Sequence, residues 1–260
     1  MKLTKLKPTV LTLLFIFILN VSFSYSQISR FGFNEFTNAK GDKLNYRLLT
    51  PDYDTISKYP LVIFLHGSGE RGNDNESQLK WGVSNFATDQ AMSLRPAFVL
   101  APQCPENERW SNFDRNDKNH DLSLNPDPGK QIELLIELIH EFIEKHPVDK
   151  NRIYITGFSM GGYGTYDAIQ RYPDLFAAAV PVCGAGDTSK AASIAHIPIW
   201  IFHGALDTAV NPLYSIDMVN ALIDVGTNPG FTLYPQVGHF SWLKAYSDPN
   251  MMAWLFRQHK

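Results

Sequence analysis

The chain has 260 residues, 44% of them hydrophobic and 19% charged, with a formal charge of −3. Those are the proportions of a folded globular protein with apolar side chains enough for one substantial core. The slightly acidic balance argues against a basic surface for nucleic acid or anionic membrane, and two cysteines are too few for a disulfide-held scaffold.

In chain order, Lys2, Lys5 and Lys7 precede an almost wholly apolar run over 10–19, and Ser24 and Ser26 follow it. This pattern predicts an export signal over 1–26, one folded domain over 27–260 and a secreted or periplasmic protein. The apolar run is shorter than the roughly 20 residues a membrane helix needs, so no stable membrane insertion is expected once the signal is removed. Removal would leave 20 Lys and Arg against 26 Asp and Glu. The first cysteine is Cys104, too far along the chain to carry a lipid at the cleavage point.

Residues 31–36 and 44–49 read as a leading antiparallel pair. Short apolar runs then recur at 61–65, 97–100, 152–156, 176–182, 197–202 and 231–234, each expected as a strand buried on both faces. The clearest helix is 130–145, where Ile132, Leu135, Ile136, Ile139, Phe142 and Ile143 recur at spacings of three and four between Pro128 and Pro147. Weaker helical patterns fall at 163–171, 214–225 and 251–258. Alternating strands and helices predict an α/β fold with a mostly parallel central sheet and helices on both faces. Residues 103–128 fit neither period; this polar stretch reads either as a solvated loop with one aromatic tucked inward or as part of a site mouth, with Trp110 the expected substrate contact. Cys104 and Cys183 each follow a strand-like run, which favours two buried thiols over a bridge.

The most informative motif is Gly157-Phe158-Ser159-Met160-Gly161. A β-branched and aromatic strand leads into it and a helix leads out, the context in which a serine sits on a strained strand-to-helix turn. A serine hydroxyl needs a base to take its proton and the base needs an acid to orient it. On parallel strands that follow the serine, acid and base should come next in that order. Asp207, after the run ending His203-Gly204, and His239, after the strand over 231–234, occupy those places. Asp207 could instead cap the turn before Pro212; His203 and Asp187 are the rival base and acid. Donors for a developing oxyanion are expected from the backbone of Met160 and from the loop His66-Gly67-Ser68-Gly69. In that loop Gly67-x-Gly69-x-x-Gly72 formally matches a dinucleotide fingerprint but lacks the second strand and its acidic residue. His140-Glu141 would open a zinc-protease helix, yet Glu144 stands where the second histidine belongs. No cofactor and no metal are expected.

These residues resemble secreted α/β-hydrolases of the carbohydrate-esterase and polyhydroxybutyrate-depolymerase type, related to dienelactone hydrolases and prolyl oligopeptidase catalytic domains. The resemblance runs from about Leu61 to the C-terminus. It is carried by Leu65-His66-Gly67-Ser68-Gly69-Glu70-Arg71-Gly72, Ala101-Pro102-Gln103-Cys104-Pro105, the elbow with Gly162, His203-Gly204-Ala205-Leu206-Asp207 and Gly238-His239. It implies the α/β-hydrolase fold, nucleophile Ser159, acid Asp207, base His239 and oxyanion donors Gly67 and Met160. It also implies hydrolysis of carboxylic esters, in many members acetyl or feruloyl esters of plant polysaccharide, so the expected partner is a small-molecule or polysaccharide ester. No lid, propeller or carbohydrate-binding module is recognisable. Two other readings stay open: a serine peptidase using the same triad, and a non-catalytic ligand-binding protein on the same scaffold.

Overall fold

A computed structural model describes residues 27–52, 54, 56–116 and 121–260; the expected export signal lies outside the described residues. The strands are β1 (Phe31–Thr37), β2 (Lys43–Leu49), β3 (Tyr59–Leu65), β4 (Phe98–Pro102), β5 (Phe113–Asn116), β6 (Asp121–Leu124), β7 (Val148–Phe158), β8 (Ala178–Val182), β9 (Trp200–Gly204) and β10 (Gly230–Tyr234). Eight of them form one sheet in the order β1-β2-β4-β3-β7-β8-β9-β10, and β5 and β6 form a separate hairpin. β2 runs antiparallel to β1 and β4, and every pair from β4 to β10 is parallel. That is the mostly parallel sheet with a leading antiparallel pair anticipated from the apolar runs.

Helices cover both faces, because buried parallel strands are apolar on both. On β3, Leu61, Ile63 and Leu65 join one core and Val62 and Phe64 the other. The first core takes α2 (Lys130–Lys145), α3 (Met160–Arg171) and α4 (Leu213–Asp224). Along α2, Ile132, Leu135, Ile136, Ile139 and Phe142 are buried while Glu133 and Glu137 face solvent, so its spacing of three and four becomes a single apolar stripe. The second core takes α5 (Trp242–Ser247) and α6 (Pro249–Leu255), with Met92 of α1 (Asp89–Leu94) packed against it. Each fully buried Leu, Ile or Phe in these layers contributes about 1.5–3 kcal/mol. Cys104 lies in the first core and Cys183 in the second. Both thiols are free and buried, and the sheet stands between them.

Three differences from expectation have physical reasons. β10 is half-buried along its length, because it is the sheet's edge and has one neighbour only. α5 was not anticipated, since its six residues are too few to display a period. The stretch 103–128 is not irregular throughout: among its described residues 106–109 are exposed and Trp110 is tucked inward, but β5 and β6 pair within it, and buried acids of the domain hold it. The Asp167 carboxylate accepts from the Asn112 N–H at 2.8 Å and pairs with Arg171 at 2.7 Å, and Asp187 accepts from the Leu124 N–H at 2.9 Å.

Candidate active site

Ser159 sits where β7 gives way to α3, with φ 54° and ψ −118°. L-residues rarely adopt that backbone, and strain of this kind is found at functional turns. The turn holds because its neighbours are glycines: a Cβ on Gly161 would stand 2.0 Å from the Leu65 carbonyl oxygen, and one on Gly157 2.4 Å from the Gly161 oxygen. The Ser159 N–H is tied to the Val182 carbonyl at 2.9 Å.

Asp207 follows β9 and His239 follows β10. Their loops are laced together by Ala205 N–H to Tyr234 O and Leu206 N–H to Val237 O, both at 2.9 Å. The approach is so close that a Cβ on Gly204 would lie 2.2 Å from the Gly238 oxygen. Ser159 Oγ is 2.9 Å from His239 Nε2, and His239 Nδ1 is 2.7 Å from Asp207 Oδ2. With Nδ1–H donating to the carboxylate, Nε2 is free to accept from the serine hydroxyl. The other Asp207 oxygen accepts from the N–H groups of Ala209 and Val210, each at 2.9 Å. Burial pushes the Asp207 carboxyl upward, but hydrogen bonds from His203, His239 and Val210 outweigh it and hold the group well below the usual carboxylate range. The orienting group is therefore an anion.

The rivals resolve by position. His203 is fully buried; Nδ1 accepts from the Ser215 hydroxyl at 2.7 Å, while Nε2–H points at the Val210 carbonyl at 3.0 Å and at Asp207 Oδ2 at 3.3 Å. It thus steadies the acid at the same carboxylate oxygen that His239 engages, and its signal in the sequence is the spacing of four from Asp207 across a glycine. Asp187 caps a short turn through the Ser189 N–H and hydroxyl and anchors β6, so it does not serve His239. Cys183 lies beside Asp207 and His239, all three donor atoms within 4.8 Å of one another. Burial pushes its thiol up to about 12, so it is a protonated neighbour rather than a thiolate nucleophile or metal ligand.

One expectation needs correction. Trp110 is fully buried: its indole N–H donates to the His66 carbonyl at 3.2 Å, and its ring packs edge-on against the His66 imidazole. It supports the loop from beneath and does not face the cavity. Gly67 has the buried Glu70 carboxyl close by, Oε2 standing 3.1 Å from where a Cβ on Gly67 would be. The next residue, Ser68, lines a cavity of about 320 Å³ together with Ser159 and Met160. Met160 opens α3, where the first N–H groups have no intrahelical acceptor and the helix dipole is positive. Below the loop, His66 is held neutral: Nε2 accepts from the Cys104 N–H at 2.9 Å, Nδ1 faces the Gly67 oxygen at 2.6 Å, and burial lowers its pKa to about 4.

Among known families, the model described as phospholipase/carboxylesterase matches residues 55–249. The chain is 29% identical over 178 residues to the bifunctional acetylxylan esterase/xylanase XynS20E of Neocallimastix patriciarum, covering 68% of this chain and 23% of that protein. It is 26% identical over 196 residues to a probable carboxylesterase of Oryza sativa subsp. japonica, covering 70% and 81%. Among solved structures, a thermostable esterase superposes with a TM-score of 0.82 at 40% identity, covering 90% of this chain and 64% of that one. The chain therefore spans about a quarter of the first relative and somewhat less than two thirds of the last.

Proposed function

The chain belongs to the phospholipase/carboxylesterase family, and from that premise we propose that it is an exported serine esterase acting on short acyl or feruloyl esters of carbohydrate. The observation that carries the reading is the continuous path from Ser159 Oγ through His239 to Asp207, at 2.9 and 2.7 Å. Ser159 attacks the ester carbonyl as His239 takes its proton; the tetrahedral oxyanion is met by the N–H groups of Met160 and Ser68; His239 returns the proton to the leaving alcohol. Water, activated by the same imidazole, then attacks the acyl-enzyme and releases the acid. Asp207 stays ionised throughout and stabilises the imidazolium. Carbohydrate is favoured by the similarity to an acetylxylan esterase, and export by the composition of residues 1–26.

The test is hydrolysis of p-nitrophenyl acetate by the wild type and by Ser159→Ala. Loss of at least about 10³-fold in kcat is expected for the variant, and equal turnover by both proteins ends the reading. Acetylated xylan and feruloylated oligosaccharides offered to the wild type test the alcohol, and secretion of the full chain from a host cell tests export.

A further inference from the structure

The cavity at Ser159 has an unusual charge. Arg71, Arg109 and Arg115 all lie on its wall, and among the described residues the remaining lining is neutral and includes no carboxylate. This is a concentration of three guanidiniums in a chain where Asp and Glu outnumber Lys and Arg by 26 to 23. Overall charge would put acids there as readily as bases, and a concave wall of one sign focuses its field on whatever enters.

The three have different supports. Arg71 Nε–H donates to the Ser68 carbonyl at 3.0 Å and one Nη to the Glu108 carbonyl at 3.4 Å, which fixes the guanidinium beside Ser68. Those bonds leave further N–H donors of the planar fork. Arg109 has neither hydrogen-bond nor ion-pair partner among the described residues. Arg115, on β5, lies 5.7 Å above the Tyr214 ring. The apolar part of the wall, Phe113, Leu122, Met160 and Val210, suits a short carbon skeleton.

From this arrangement we infer that the preferred substrate is an anionic ester, one that carries a free carboxylate near the scissile bond, and that Arg71 and Arg109 are the residues that select it. The inference rests on the esterase reading above and adds the charge of the substrate. Guanidinium recognises carboxylate as a two-pronged, charge-assisted pair, and the pair would form as the ester carbonyl settles against Ser159. The carboxylate can reside on the acyl side, as in the monoester of a dicarboxylic acid, or on the alcohol side, as in an acylated uronic acid.

Two matched pairs separate these sources: monoethyl succinate against ethyl butyrate, and an acetylated methyl glucuronoside against the corresponding glucoside, each followed by acid release with a Ser159→Ala blank. In at least one pair the anionic member should have about tenfold higher kcat/KM at low salt. That ratio should shrink as ionic strength rises and fall towards one in Arg71→Gln/Arg109→Gln, whose folding is checked by its melting temperature. Arg109→Gln alone should give an intermediate ratio. Turnover of the neutral esters with no anionic preference in either pair overturns this inference and leaves the esterase reading standing. A preference that survives the double substitution also overturns it, and absence of all turnover overturns both.

Discussion

His203 and Ser68 are residues that only the geometry brings to the site, one beside Asp207 and the other on the cavity wall. Asp207 accepts four hydrogen bonds, from His239, His203 and the N–H groups of Ala209 and Val210, so its charge is held in place before any substrate arrives. Asp207→Asn would keep most of those contacts yet present an amide to His239, favouring the wrong tautomer; kcat is expected to fall about 10³- to 10⁴-fold with little change in KM. Ser68 offers an equally specific test, because proline at that position removes one N–H and little else. Ser68 is the first residue of a short 3₁₀ turn, and Gly67 before it has φ −78° and ψ 177°, a conformation that tolerates a following proline. Ser68→Pro should lower kcat by about 10²-fold while the melting temperature stays within a few degrees. An unchanged kcat would assign the donor role to Gly67 instead.

At the level of elements, the strand-to-helix turn works because two backbones meet without side chains. The Gly161 position is 2.0 Å from a carbonyl oxygen of β3 once a Cβ is built, and backbone cannot swing aside as a flexible side chain can. Gly161→Ala should therefore cost about 3 kcal/mol and lower the melting temperature by roughly 10 °C, with activity falling as Ser159 is displaced; calorimetry and steady-state rates measure both. The hairpin β5–β6 shows the opposite relation between sequence and structure. Its two four-residue strands are too short and polar to announce themselves, and they are held by Asp167 and Asp187, which lie 55 and 63 residues beyond the N–H groups they accept from. The helix over 130–145 was legible because sixteen residues repeat one period, whereas α5, at six residues, carries no such repeat.

For the whole molecule, the buried neutral His66 links the site loop to acid stability. In the folded protein its pKa is about 4 against an ordinary 6.5. Between those values the unfolded chain binds a proton that the folded chain refuses, so stability is full above about pH 6.5 and falls as pH drops towards 4, by up to about 3 kcal/mol. Denaturant midpoints across that window should decline for the wild type and decline less in His66→Gln. The two thiols report the core in the same way: each is buried and pushed up to about 12, on opposite faces of the sheet, so both should react with a thiol reagent only after unfolding, and the protein should be insensitive to reductant. What the sequence by itself determined was the order of the main-sheet strands and the longer helices and the candidates Ser159, Asp207 and His239, because apolar period, glycine sterics and chain order are local properties that a parallel sheet converts into position. The tertiary structure alone decided that Trp110 lies under the loop, that Ser68 lines the cavity, that His203 backs Asp207 and that three arginines share one wall with Ser159. Those facts depend on which distant segments meet and which way a side chain or N–H then points, and no spacing along the chain records either.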